Sequence, residues 1–273
     1  MIHATFHLLA PLSHGSFGDA SEGNAVLLRR EPIVSLSGFP RVPCLSGNAI
    51  RGRLRRVTMR ALIDAGGLSR AAFVADGMGR RWDRMYAALA NGGHLDGSEA
   101  RVDPERIREL RASLPPLSVY GSALYSWMMP GRARVGIGWL VCAETQEAGL
   151  VTGTGAAPAE EQVTEIGHVR HIDRTEADPE QSGVTPMPVT IEAIATGARL
   201  QTTIRLERGC TSMEASCVAW GLDQIQDIGA KAGAGLGAVR VDHDGDGSEY
   251  AAWLTSSRPA IREALLRLAA EVG

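Results

Sequence analysis

No apolar run in this 273-residue chain reaches the length needed to cross a bilayer, which excludes a membrane-spanning helix as a reading of the sequence. The first residues lack a charged segment followed by an apolar block, so no secretory signal is expected. The four cysteines, Cys44, Cys142, Cys210 and Cys217, are scattered without metal-ligand spacing and are expected as buried free thiols. Together these absences point to a reducing, cytoplasmic setting. Lysine is nearly missing: Lys231 is the only one, a bias from which no chemistry follows. Also absent are a Gly-x-Ser-x-Gly elbow, a Walker-type Gly-Lys-Ser/Thr and a His-Glu-x-x-His motif, so the common nucleophile, NTPase and zinc-hydrolase signatures are missing. Nothing in the sequence demands an enzyme, and no cofactor or metal is expected.

What is present is an ordinary globular composition, 44% hydrophobic and 22% charged, with a formal net charge of −3. A nucleic-acid site on such a chain must be a local stripe. The charge is segregated accordingly: residues 41 to 60 hold six arginines and no acid, whereas residues 141 to 165 hold five glutamates and no Lys or Arg. Within the basic stretch, Ser46 is a good N-cap before Gly47 and Asn48, and Ile50, Leu54 and Val57 recur at helical spacing. A helix is predicted from about Ser46 to Ile63, stopping at Gly66-Gly67. Its first turn offers unpaired N–H groups and a positive dipole end to an anion. Arg51 and Arg55 share one face, flanked by Arg53, Arg56 and Arg60.

Along the chain, residues 2 to 10 read as a first strand and Ala25 to Ile33 as a second extended segment, with Pro40 and Pro43 leading into the arginine helix. Residues 68 to 113 read as a helical satellite with amphipathic patterns around Trp82 to Leu89 and Pro104 to Leu110. Strand character is read in Leu117 to Tyr120 and Val135 to Ala143, and a long projecting loop or hairpin in residues 144 to 188. A strand pair is expected from Val189 to Ala195 and Ala198 to Leu206, turning at Thr196-Gly197. A helix over Met213 to Ile228, a glycine-rich loop, a strand over Ala238 to Val241 and a helix over Arg258 to Val272 complete the reading. The fold class is α+β: a ferredoxin-like (RRM-like) core over 1–66, 117–143 and 189–273, a helical insertion over 67–116, and a thumb-like projection over 144–188.

Three motifs fail on context. Gly233-Ala-Gly-Leu-Gly-Ala238 copies a dinucleotide glycine pattern, but a helix precedes it and a strand follows, the reverse of the required order. The glycines from Gly229 to Gly237 instead suggest close backbone approach to a ligand or neighbouring chain. Asp242-His-Asp-Gly-Asp-Gly247 begins like a calcium loop, yet its twelfth position is Trp253, so an acidic turn is the better reading. His168 and His171, with Asp173 beside them, lack a third metal partner.

These pieces resemble the RAMP superfamily of CRISPR–Cas proteins, in particular the repeated backbone subunit of class 1 effector complexes. Pro43-Cys-Leu-Ser-Gly-Asn-Ala-Ile-Arg-Gly-Arg-Leu-Arg-Arg56 resembles the family signature Pro-x-x-Ser/Pro-Gly-Ser/Asn-x-x-Lys/Arg-Gly-x-x-Arg at the start of the first core helix. His171-Ile-Asp-Arg-Thr-Glu176 resembles the thumb region, and Gly229 to Arg240 the C-terminal glycine-rich loop and its strand. Ser46 to Gly52 with Leu28-Arg-Arg30 upstream is most similar to the type IV backbone subunit.

The resemblance implies a non-catalytic subunit that polymerises along a guide RNA (crRNA) and supports its pairing with a complementary target. Partners would be copies of itself in a filament and other effector subunits. It implies RNA contacts from His14 and Gly15, from Arg41, Ser46, Gly47, Asn48, Arg51, Arg55 and Arg56, from Arg170, His171 and Arg174 of the projection, and from Lys231, Gly233, Gly235 and Gly237 of the loop. RNA-cutting type III relatives use an aspartate before the second extended segment. Here Gly23-Asn24-Ala25 stands about there, with Asp19 the nearest aspartate. Two alternatives stay open: a metal-dependent endoribonuclease using Asp19 or Glu22, and a ferredoxin-like interaction protein that binds no RNA.

Overall fold

The computed structural model describes residues 1–15, 25–36, 38–96, 103–169 and 188–273. The chain opens with β1 (Ile2–Leu8), the short strands β2 (Ala25–Val26) and β3 (Arg30–Pro32), then β4 (Arg41–Leu45) and the long helix α1 (Gly47–Ala65). A largely helical block follows: α2 (Arg70–Ala75), α3 (Gly79–Tyr86) continued by a π-helical turn, β5 (Gly93–Leu95), α4 (Pro104–Ser113) and α5 (Pro115–Tyr120). Next come β6 (Ser122–Tyr125), β7 (Met128–Met129), β8 (Ala133–Val135), β9 (Gly138–Leu140), α6 (Ala143–Glu147), β10 (Val163–Val169) and β11 (Pro188–Ile194). The last elements are β12 (Arg199–Leu206), α7 (Ser212–Asp223), β13 (Val239–His243), α8 (Ser248–Ser256) and α9 (Arg258–Val272).

The main sheet runs β13-β1-β12-β9-β4-β3, with β8 pairing the far end of β12, and its pairings are all antiparallel. Period-two alternation decides which side is covered. Ile2, Ala4, Phe6 and Leu8 of β1 and Leu200, Thr202 and Ile204 of β12 are buried on one face, where α1 and α7 pack. His3, Thr5 and His7 point the other way. The two helices approach closely at Gly221 of α7, where a Cβ would lie 3.0 Å from Thr58 Cγ2 and 3.2 Å from Leu54 Cδ2. In the strands β1, β9, β12 and β13, the first and last in chain order are neighbours, and α1 and α7 form the connections on the covered face.

Several sequence expectations are overturned. Leu117 to Tyr120 is not a strand but the helix α5, with every residue from Pro115 to Tyr120 buried. A short apolar run has no periodicity that separates a buried strand from a buried helical turn, and the prolines at its first turn settle it. The segments around Thr196-Gly197 do not pair with each other: β11 pairs β10 and β2, while β12 joins the main sheet. The turn moves the chain between sheets, with Gly197 N–H donating to Leu8 O at 2.8 Å. Residues 41 to 45 form β4 rather than a bare lead into α1, and α8 was not anticipated. The second extended segment is split into β2 and β3, and Ala143 opens a helix. The helix expected to reach Ile228 ends at Asp223. Within 144–188, α6, a 3₁₀ turn at Ala159–Gln162 and β10 are formed, and β10 pairs β11 from Val163↔Ile194 to Val169↔Pro188.

One buried carboxylate ties the covered face together. Glu214, 3% exposed in the first turn of α7, accepts from Arg132 Nη1 at 3.0 Å on both oxygens, from Thr211 N–H at 2.7 Å and from Ser118 Oγ of α5. Burial pushes its carboxyl up, but the bonds from Ser118, Thr211 and Arg132 outweigh this and hold it below the usual carboxylate range. Removing the cation strands a buried charge. Arg132→Ala is expected to lower the unfolding free energy by about 3 kcal/mol in a urea titration, and a loss below about 1 kcal/mol would refute the coupling. A depressed carboxyl contributes stability above the unfolded value of 4.5, and that contribution fades as pH falls through the folded value.

Candidate nucleic-acid interface

The start of α1 is the centre of the site. Ser46 has extended backbone (φ −64°, ψ 142°), and its Oγ accepts from Ala49 N–H at 3.2 Å, an N-cap as the sequence predicts. The Ser46 N–H donates to His14 Nε2 at 3.2 Å, which joins the end of β4 to the segment after β1. The N–H groups of Gly47 and Asn48 have no acceptor among the described residues. Gly47 is packed so closely on the β8–β9 connection that a Cβ would collide with Val135 O and lie 2.9 Å from Gly136 O. Burial, then the nearby Arg29 cation, lowers the His14 pKa from 6.5, so the imidazole is neutral at pH 7 and free to accept.

The glycine-rich segment comes to the same place. Ala230 N–H donates to Ser13 O at 2.9 Å and Gly237 N–H to Pro11 O at 2.8 Å, so the loop base runs beside the residues leading to His14. Gly229 (φ +85°) and Gly237 (φ +76°) are positions of close approach: a Cβ at Gly229 would lie 2.7 Å from Ser13 O, and one at Gly237 would strike Ile228 O. Gly233 has no atom within 4 Å of its Cβ position and stands at the exposed tip with Lys231 and Gly235. The close approach expected of these glycines is therefore to the protein's own backbone at the base, and the tip is open. Arg53 reaches from α1 to Asp227, fastening helix and loop base.

The arginines of α1 divide into two sets. Arg51 and Arg55, expected on phosphates, donate from Nη2 to the carbonyl of Tyr120, and Arg55 also to that of Gly121 at 2.9 Å. They cap the carboxyl end of α5, where cations are favoured. Burial, then the neighbouring Arg51 charge, pushes the Arg55 guanidinium down to about 10, and burial and Arg134 lower Arg51. Arg56 and Arg60 are exposed without a partner among the described residues, on the stripe that Arg53 begins three and seven residues earlier. Arg41 and Asn48 are also exposed. Gly15 bridges Leu28. Arg170, His171 and Arg174 lie outside the described residues, as do Asp19 and Glu22.

No protein-family model matches this chain, and no curated protein does. A solved chain described as a Type IV-B CRISPR complex superposes with a TM-score of 0.56 at 18% identity, covering 89% of this chain and 90% of that one. The two share a fold. In that fold the site described above offers cations, main-chain N–H groups and a neutral imidazole. Among the described residues no group of three or more His, Cys, Asp or Glu is placed to hold a metal. All four cysteines are free; burial above all raises the thiols, Cys44 to about 11, so they are poor nucleophiles.

Sequence reasoning missed Asp227, which was read as part of a helix, and the Arg30–Glu192 pair at 2.8 Å. The acid-free stretch from 41 to 60 was the usable signal for the first, since any partner for Arg53 had to come from far along the chain.

The packing separates these glycines by experiment. Gly47→Ala is expected to cost about 2 kcal/mol in denaturant unfolding, as overpacked sites do, and Gly233→Ala less than about 0.5 kcal/mol. Equal costs would refute the assignment. For His14 the lowered folded pKa means that the unfolded chain binds the extra proton first. Stability should therefore fall as pH drops below about 6.5, and His14→Gln should flatten that limb of a Tm-against-pH curve.

Proposed function

We propose that this chain is a non-catalytic crRNA-binding backbone subunit of a class 1 CRISPR effector complex, one that polymerises along the guide and supports guide–target pairing. The likeness to a Type IV-B CRISPR complex chain over about nine-tenths of both chains carries the reading. On it, β13-β1-β12-β9 with α1 and α7 is a ferredoxin-like core, and the β10–β11 arm is the thumb. The guide's phosphates lie along Arg56 and Arg60, the free N–H groups of Gly47 and Asn48, Arg41, and Lys231 at the loop tip. Such groups neutralise a backbone without reading bases, which suits a subunit that must accept any guide. Arg51 and Arg55 act behind this surface by fixing α5 against α1.

The test is an RNA titration at several salt concentrations. Arg56→Ala with Arg60→Ala should flatten the log-affinity against log-salt slope by about 1.4, two contacts at about 0.7 each for a single strand, with Tm unchanged. Arg51→Ala with Arg55→Ala should lower Tm instead. Protein purified without nucleic acid that binds no RNA at low salt would overturn the reading. A magnesium-dependent cut in complementary RNA, lost in Asp19→Ala, would overturn the non-catalytic part.

A further inference from the structure

The face of the main sheet turned away from α1 and α7 carries a cleft that the proposed guide surface does not use. The cleft is about 580 Å³, inside the range of roughly 300–1,000 Å³ typical of small-ligand sites. Its floor is a cross-strand row in which Thr5 stands opposite Gln201 and Gln201 opposite Trp139. The half-buried Trp139 indole lines it. The loop from Gly149 to Thr152 forms a wall, held by Gln201 Oε1, which accepts from Thr152 N–H at 2.8 Å and Thr152 Oγ1 at 3.2 Å.

At the end of the cleft Arg134 and Arg205 stand directly opposite each other on β8 and β12. Like charges at paired positions destabilise a sheet unless something neutralises them. Glu207 pairs only with Arg134, at 2.9 Å and exposed, and Arg205 has no partner among the described residues. On the other side Asp242 is engaged by His7 at 2.7 Å and by Arg240, and Asp244 accepts from His3 N–H at 2.8 Å. The cleft thus joins two opposed cations, of which Arg205 has no partner among the described residues, a row of amide and hydroxyl groups, and an indole, with the apolar Leu150 and Val151 on its lining.

From this complementarity we infer that the cleft binds a nucleotide unit, its phosphate on Arg134 and Arg205 and its base against Trp139. The inference rests on the nucleic-acid reading above but uses different side chains, in a cleft that adjoins the start of α1 through Val135 and Gly136. Planar bases stack on aromatic rings irrespective of sequence, and paired guanidinium groups hold phosphate.

Two ligands are titrated at low salt, uridine monophosphate and a short oligo-uridylate. Arg205→Glu should weaken binding of both ligands about tenfold with no loss of Tm, and Trp139→Leu should weaken it about tenfold, while Arg56→Ala with Arg60→Ala should leave the affinity for the monophosphate unchanged. A 4-thiouridine oligonucleotide should cross-link in the wild-type protein to peptides containing Trp139 or Arg205, a readout independent of any variant's folding. Competition by the monophosphate marks a pocket for free nucleotide, and binding of the oligonucleotide alone marks a strand site; either supports the inference. Unchanged affinity for both ligands in Arg205→Glu, with cross-links elsewhere, overturns it. So does a variant that loses only self-association in sedimentation, which gives the face to a protein contact. Loss in the Arg56 and Arg60 variant with no effect at Arg205 sinks this inference and leaves the guide surface standing.

Discussion

The contact between the first residue of α1 and the β8–β9 connection governs the geometry around it. With no Cβ at Gly47, the helix start can lie against the carbonyls of Val135 and Gly136. That seat fixes where Ser46 caps the helix and therefore where His14 can reach it. It also sets the axis from which the arginines radiate. The glycine-rich segment then closes on the same spot because Gly229 and Gly237 let its base lie along residues 11 to 13. Close packing without side chains is what brings three segments distant in sequence to one place.

The five arginines of α1 from Arg51 to Arg60, with no acid between them, would repel one another on a plain helix surface. The fold relieves this by giving them different partners. Arg51 and Arg55 take main-chain carbonyls at the end of α5, and Arg53 takes Asp227. The buried pair costs desolvation, seen in the lowered affinity of Arg55 for its proton, and the α5 carbonyls offset it. Arg56 and Arg60 are left to solvent. A stretch that looks like one uniform basic motif is thus part structural clamp and part open surface, which explains how a chain of net charge −3 can present a narrow cationic stripe.

The two faces of the main sheet are used differently. One is sealed by α1 and α7 around residues such as Phe6, Leu54 and Leu200. The other is polar and partly roofed by the segment around Leu150, leaving Arg134 and Arg205 opposed at its end. The proposed guide surface lies at the helix start and loop tip. The cleft lies beneath the strands. Sheet alternation separates the covered face from the cleft, because residues one apart on a strand face opposite sides, and the two surfaces meet at Val135 and Gly136, which line the cleft and seat Gly47.

Much of the scaffold was legible locally. The cap at Ser46, the stop at Gly66-Gly67, the alternation of β1 and the span of α9 from Arg258 to Val272 each depend on residues within a turn or two, and the structure places them as read. The convergence of His14, Ser46 and the glycine loop was implied by the family resemblance and by no local pattern. Tertiary structure decided what local pattern could not. Whether Leu117 to Tyr120 coils or extends depended on the pocket that buries it. Which sheet β11 and β12 enter depended on the partners waiting for each. Where Arg53 and Arg55 point depended on Asp227 and Tyr120, 174 and 65 residues away. Caps and periodicity are written in neighbouring residues, whereas strand partners and the destination of a long cationic side chain are set by groups that only the folded chain brings within reach.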